Sequence, residues 1–255
     1  MWAVRSSINL PLKASGVQVK QGIGYYLSSL KRGSTDLFDH PGNDPIARAA
    51  PNASVCALCV AVADAMRHQE PFLYNRKLLE TSRFVVLPSV GPLAAGHVMV
   101  VSKVHCESLA SMGPDAIQEY DSVAARLRTA PFLQDGGPLE AEHGSSSDDK
   151  AGACVIHTHV HWLPSMGRFL EEFRRRLPRR PESSLLEVCH KGGPYLFARA
   201  GEERAIFQAH GLRSQTIRRI LCEILDRDDT DWTQAPRLDW VEETVEAWLR
   251  HEERP

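Results

Sequence analysis

The sequence predicts a mixed α+β chain, and three observations carry that reading. One is the period of two in His157-Thr-His-Val-His161, another a pair of apolar runs that read as a hairpin, and the third a stretch with apolar residues at helical spacing. Successive side chains on a strand point to opposite faces, so the alternation places the imidazoles of His157, His159 and His161 in one row. Ala153-Cys-Val-Ile156 leads into that strand, Trp162-Leu163 continues it and Pro164 ends the pairing.

The remaining elements follow in order. Residues 1–54 are rich in Gly, Ser and Pro, with a weakly strand-like stretch at 24–27 and a loop over 33–52. From Val55 the composition turns apolar, and residues 56–66 read as a helix with Cys56 and Cys59 on its first turn. Residues 84–87 and 97–102 read as a hairpin with a wide turn, and 114–128 as a helix on the spacing of Ile117, Tyr120, Ala124 and Leu127. A short strand at 139–143 precedes a polar loop, Gly144-Ser-Ser-Ser-Asp-Asp-Lys150, which empties into the triple-His strand. An Arg-rich helix running to about 177 and a linker over 178–184 come next. Residues 185–189 then read as a strand, 195–199 and 205–208 as a hairpin around Gly201, and 214–226 and 241–253 as helices. The domain organisation expected is an N-terminal extension over 1–54, a catalytic domain over 55–180 and a C-terminal α+β extension over 185–255 packed on the core.

Bulk properties exclude more than they identify. A chain of 255 residues that is 43% hydrophobic buries one sizeable core. Its net charge of -2 exerts no overall pull toward nucleic acid or membrane, so a small anionic substrate needs a local site. Without an apolar run of 18 residues or a secretory h-region, the protein is expected to be soluble and cytoplasmic. Six cysteines, two of them as Cys56-x-x-Cys59, read as reduced thiols with a metal or redox site rather than a disulfide framework.

Imidazole titrates near neutrality, so a row of three can supply a nucleophile, a proton donor and a metal ligand without unusual tuning. The competing reading is a purely metal-binding row, since His-x-His on a strand also suits zinc hydrolases.

The run His157-Thr-His-Val-His-Trp-Leu163 resembles the signature of the histidine triad (HIT) superfamily, in which His alternates with mostly hydrophobic residues; Thr158 departs from that pattern. The resemblance extends upstream to Phe84-Val-Val-Leu-Pro-Ser89, to Gly96-His97 opening a strand, and to Ser102-Lys103-x-His105. It implies a HIT-like α+β fold built on an antiparallel sheet with flanking helices, here with a C-terminal hairpin-and-helix extension. It also implies nucleotide binding and chemistry at an α-phosphate. By position His159 matches the nucleophile that forms a nucleotidyl-imidazole intermediate, and His161 the residue that contacts the scissile phosphate or leaving group. Small triad proteins commonly dimerise, so a homodimer is open.

Four further groups follow. Cys-x-x-Cys at a helix start can place two thiolates on one ion, and His105 and His157 would complete a tetrahedral structural zinc site. Some triad proteins and the related galactose-1-phosphate uridylyltransferases look similar there. Glu142, His143, Gly144 and Ser146 precede the catalytic strand, where the family places phosphate-contacting groups, and Gly144 permits close approach of an anion. Ser214-Gln-Thr-Ile-Arg-Arg219 combines an N-cap Ser with Gln215 and Arg218, which are candidates to reach back to the nucleotide. Six arginines between 168 and 180 read as a solvated helix face. The function expected is nucleotidyl hydrolysis or transfer at the α-phosphate of a nucleoside monophosphate conjugate, with zinc structural and no metal required for the chemistry. Its rivals are a nucleotide-binding regulatory protein with little turnover and a zinc-dependent hydrolase using the His row as ligands.

Overall fold

The computed structural model describes residues 56–252 apart from 68–74, 134–136, 147–148, 165–167 and 233–235. The expected N-terminal extension, with its strand-like stretch at 24–27 and loop at 33–52, lies outside the described residues, as do Ser147 and Asp148.

Seven antiparallel strands form one sheet. In chain order the elements are α1 (Ala57–Arg67), β1 (Leu79–Glu80), β2 (Phe84–Pro88), β3 (Val98–Ser102), α2 (Pro114–Leu127), β4 (Leu139–Gly144), β5 (His159–Leu163), α3 (Phe169–Arg176), α4 (Leu185–Lys191), β6 (Tyr195–Ala200), β7 (Glu203–Gln208), α5 (Thr216–Ile224) and α6 (Leu238–Glu252). The spatial order β1-β2-β3-β5-β4-β6-β7 makes β5 the central strand. This is the HIT-like α+β arrangement expected, and the C-terminal hairpin β6–β7 continues the same sheet by pairing on β4.

Alternation on these strands divides the apolar residues between two layers. On one face α1 sets Leu58, Ala61, Val62 and Ala65 against Val85, Leu87, Met99 and Val101. Further along that face α3 and α5 set Phe169, Phe173, Ile217 and Leu221 against Leu139, Ala141, Leu163 and Ala198. The register pairs Val101 with His159 and Met99 with His161, so both imidazoles share this face, between the two helix pads. The opposite face packs Val98, Val100, Val160, Trp162 and Phe197 under Tyr120 and Leu127 of α2, Val188 of α4 and Trp248 of α6.

The chain itself occupies the inner strand β4 on both sides and covers part of the edge at β7. Both sides of β4 are occupied, by β5 and β6, so that strand offers no edge to a second copy. Along β7, Arg180 N–H bonds the Ile206 carbonyl at 2.8 Å and Gln208 N–H the Pro178 carbonyl at 2.8 Å, which satisfies part of the outer edge from within the chain.

Three expectations are corrected. Residues 153–156 form no strand, because Ala151 (φ 51°) and Gly152 (φ 81°) turn the chain to the left and Ala153 N–H closes onto the Lys150 carbonyl at 2.8 Å. At Gly152 a Cβ would lie 2.9 Å from the Arg213 carbonyl, so that close approach needs glycine. The expected strand at 185–189 is instead helix α4: Ser184 Oγ accepts from Glu187 N–H, half of a capping box whose Ser-x-x-Glu spacing was there to be read. Helix α5 starts at Thr216 with left-handed Gln215 (φ 62°) at its cap, so Ser214 does not cap it.

Alternation also decides Glu140, Glu142 and Gly144, which stand on the sheet face opposite His143 and the imidazoles of β5. Glu142 is buried there, accepts from Leu109 N–H at 2.7 Å and Tyr195 Oη–H at 2.5 Å, and is pushed up to about 7 by burial. Glu142→Ala leaves both donors unpaired beside a new void, so it should cost about 2–5 kcal/mol in a denaturant melt. Glu142→Gln, which keeps the shape and one acceptor, should cost clearly less; equal losses would show that the two bonds accepted by the carboxylate, rather than the volume of the side chain, carry the stability.

The Arg-rich helix is a paired, solvated face. Arg174 meets Glu203 at 2.6 Å, Arg175 meets Glu172 at 2.8 Å, and Arg176 bridges Glu172 and Glu223. No helix of the described residues is long and apolar enough to cross a membrane.

Candidate functional site

The imidazole tautomers can be read from their partners, because a ring nitrogen facing an N–H must accept and one facing a carbonyl must donate. His159 Nδ1 lies 2.6 Å from the His157 carbonyl, so Nδ1 carries the proton and Nε2 holds the lone pair. Leu93 N–H donates to His97 Nδ1 at 3.1 Å, which puts the His97 proton on Nε2. That proton points at His161 Nδ1, 3.0 Å away, and leaves the His161 proton on Nε2. The His159 and His161 rings are 5.0 Å apart. One therefore offers a lone pair and the other an N–H to the same neighbourhood.

Burial keeps these rings neutral. It lowers His159 and holds His161 well below its ordinary value, with the neighbouring imidazoles adding to the effect on His161. Burial, then Arg218 and His159, brings His97 down to about 3. An imidazole neutral at pH 7 keeps its nucleophilic lone pair.

His157 does not complete the row. Its Nε2 donates to the Ser102 carbonyl at 2.9 Å, which turns the Nδ1 lone pair toward the Cys56 and Cys59 sulfurs at 3.4 and 3.5 Å. His105 Nδ1 lies 3.4 Å from Cys59 Sγ, and the four ligand atoms all fall within 4.8 Å of one another. Zinc with Zn–S near ~2.3 Å and Zn–N near ~2.05 Å requires tetrahedral S···N separations of roughly 3.5 Å. Cys56, Cys59, His105 and His157 fit such a site, and the Ser102 carbonyl is the outer partner that a ligating His ordinarily has. The Cys59 hydrogen bond, aided by His157, pulls the Cys56 thiol down to about 3, while the same bond and burial hold the Cys59 proton on. A cation in place of that shared proton would stabilise both thiolates.

Known proteins resemble the chain at a distance. No protein-family model matches the chain. Over 94 residues it is 21% identical to the protein named hit of Bacillus subtilis strain 168, a match covering 37% of this chain. The chain thus spans 64% of the length of that curated relative. Among solved structures, a HIT family hydrolase from Clostridium thermocellum is 15% identical with TM-score 0.35, covering 46% of this chain and 95% of that one. A zinc-bound histidine triad family protein from Mycobacterium smegmatis is 20% identical with TM-score 0.34, covering 53% and 88%. A hypothetical histidine triad nucleotide-binding protein from Sulfolobus tokodaii is 16% identical with TM-score 0.33, covering 74% and 92%. The chain is similar to histidine triad proteins.

The other residues singled out in the sequence divide by position. His143 shares the face of His159 and His161, but its Nε2 accepts from Ile217 N–H at 3.2 Å and burial brings it down to about 3, so it has only Nδ1–H to offer. Glu142 and Gly144 are on the other face. A Cβ on Gly144 would lie 2.1 Å from the Tyr195 ring, so the close approach that requires glycine is to this tyrosine rather than to an anion. Ser146 forms a two-way backbone bridge with Asp149 at 2.8 and 3.2 Å. Gln215 turns its side chain to Trp232 N–H at 3.3 Å and to Asp231. Arg218 is buried, with its guanidinium on the Gly91 carbonyl and on Asp229. A cavity of about 340 Å³ lined by Tyr120, Glu140, Leu185 and Arg199 is on the face away from the imidazoles.

Sequence reasoning missed His97 as a site residue. It precedes β3 by one position, and only the register of β3 on β5 brings it to His161.

Proposed function

We propose that the chain cleaves or transfers a nucleotide, with His159 Nε2 attacking the α-phosphorus of a nucleoside monophosphate conjugate. The observation that carries this reading is the tautomer chain, which leaves His159 Nε2 with a free lone pair beside the His161 Nε2–H. Among the described residues neither Nε2 has a hydrogen-bond partner. In the first step an Nε2–P bond forms while the P–O bond to the leaving group breaks, and that oxygen departs with the electron pair and is protonated. His161 Nε2–H donates a hydrogen bond to the phosphoryl or leaving oxygen, where negative charge builds. In the second step an O–P bond forms from water or another hydroxyl acceptor while the N–P bond breaks, the N–P pair returns to His159 Nε2, and the acceptor's proton is released to solvent.

Zinc takes a structural place in this scheme. Bound by Cys56, Cys59, His105 and His157, it would hold α1 against the segment entering β5, and no step of the chemistry passes through it. The names of the similar structures, a hydrolase, a zinc-bound protein and a hypothetical nucleotide-binding protein, agree with this assignment. His159 and His161 fall outside the group of four with ligand geometry, which weighs against the His row as a zinc hydrolase's ligand set. A homodimer, if formed, must use a surface other than the occupied edges of β4.

Stereochemistry tests the covalent route. Two displacements on a chiral α-phosphorothioate should give net retention. Inversion would instead indicate direct attack by water and overturn the role of His159. Absence of turnover on adenylyl and guanylyl conjugates, with binding intact, would favour a nucleotide-binding protein with little activity.

A further inference from the structure

We infer that Arg227, acting with Arg218 and Asp229 from the C-terminal extension, is a positioning residue for His161, a role that rests on the nucleotidyl-transfer reading above. The chain of contacts runs through the loop between β2 and β3. His161 presents Nε2–H only while its Nδ1 accepts from His97, and His97 can donate there only while Leu93 N–H occupies its own Nδ1. Leu93 is therefore where the His161 tautomer is decided.

That loop is held from outside. Its own backbone bonds are Ser89 N–H to the His97 carbonyl at 3.0 Å and His97 N–H to the Ala94 carbonyl at 3.2 Å, which close its base. Its crest is gripped by residues far along the chain. Arg227 Nη1 donates to the Leu93 carbonyl at 2.7 Å, Arg218 Nη1 to the Gly91 carbonyl at 2.7 Å, and Thr244 Oγ1 accepts from Gly96 N–H at 2.7 Å. Both guanidinium groups are in turn fixed on Asp229: Arg218 through its carbonyl at 2.8 Å and carboxylate at 3.2 Å, Arg227 through its carboxylate at 2.7 Å. Arg227 also stacks over the Trp240 ring at 4.9 Å. Trp232 closes the contact from the other side, since a Cβ on Gly91 would meet the Trp232 Cβ at 2.5 Å.

The chemistry gives this clamp a function beyond packing. A neutral imidazole has two tautomers of similar energy in water, and one well-placed hydrogen bond is enough to select between them. If Leu93 drifts, His97 can place its proton on Nδ1, and His161 then turns a lone pair rather than an N–H toward the phosphoryl oxygens. Such a loss acts on the transition state more than on ground-state binding.

The test uses the full chain with Arg227→Ala, Arg227→Lys and, as an independent disturbance of the same loop, Gly91→Ala. Long-range 15N–1H correlation of the histidine side chains reads the tautomers without substrate; kcat and KM are measured on an adenylyl conjugate. Wild type should show His161 protonated on Nε2 alone. Arg227→Ala should mix the tautomers and lower kcat about tenfold with KM within about threefold. Arg227→Lys, which keeps one donor for the Leu93 carbonyl, should recover part of the loss, and Gly91→Ala should reproduce it from the other side of the clamp. Unmixed tautomers and kcat within about twofold of wild type in the folded variants would overturn the proposal, whatever happens to the melting temperature. Should wild type prove inactive, the tautomer spectra still judge the clamp, so failure of this inference and of the nucleotidyl-transfer reading are separable.

Discussion

His159→Ala is expected to lower turnover of a nucleotidyl conjugate by about ten-thousand-fold while nucleotide affinity stays within about tenfold. In the proposed mechanism the lost group makes and breaks the bond to phosphorus, so the effect belongs to the chemical step, at about 1.4 kcal/mol for each tenfold. Its ring is buried among strand residues and its only bond among the described residues is to the His157 carbonyl, so removing it leaves a small void without orphaning a distant partner. Stability should fall by only about 1–3 kcal/mol, separable from activity in a melt. His159→Gly offers a sharper form of the same experiment, because free imidazole added to that variant can occupy the void and attack in its place. Recovery of turnover in proportion to imidazole would locate the nucleophile at this position. Near-normal steady-state turnover by the alanine variant would remove His159 from that role.

Much of this arrangement was open to reading because it is local. The alternation at 157–161 depends on a period of two, the Cys56-x-x-Cys59 spacing on one helical turn, and the two hairpins on strands adjacent in sequence, one joined by a wide turn and the other by a tight one; each is a property of neighbouring residues. What could not be read depends on register. Glu142 and Gly144 are near His159 in sequence, yet β4 turns them to the other face, where Tyr195 and Leu109 engage them. His97 reaches His161 only through the β3–β5 pairing, and Arg227 reaches Leu93 across 134 residues. Two other differences were within reach. Ser184-x-x-Glu187 signals a helix start, and Gly152, the last residue before the supposed strand at 153–156, signals a turn. Propensity favoured strand in both places, and a specific bond or a left-handed residue outweighed it.

Metal removal is the second large effect expected. Protein purified without chelators should carry about one zinc per chain, and Cys59→Ser should abolish it, because a hydroxyl cannot replace the thiolate that lies against both His105 and His157. At a free metal concentration a thousand times the dissociation constant, binding to the folded state alone contributes about 4 kcal/mol. For a chain of this size that corresponds to a fall in melting temperature of about 8–16 °C. Turnover should fall with it, since His157 both offers Nδ1 to the metal group and lends its carbonyl to His159 Nδ1. Loss of activity after chelation therefore does not by itself identify a reactive metal, and substitution does. Cobalt in the same tetrahedral S₂N₂ set should produce thiolate-to-metal absorption, restore the melting temperature, and leave turnover within about threefold of the zinc form, because an ion that only ties α1 to the segment entering β5 has no part in the barrier. A cobalt protein that melts like the zinc form but turns over tens of times faster or slower would place the metal in the reaction, and the nucleophile would then have to be sought among its ligands.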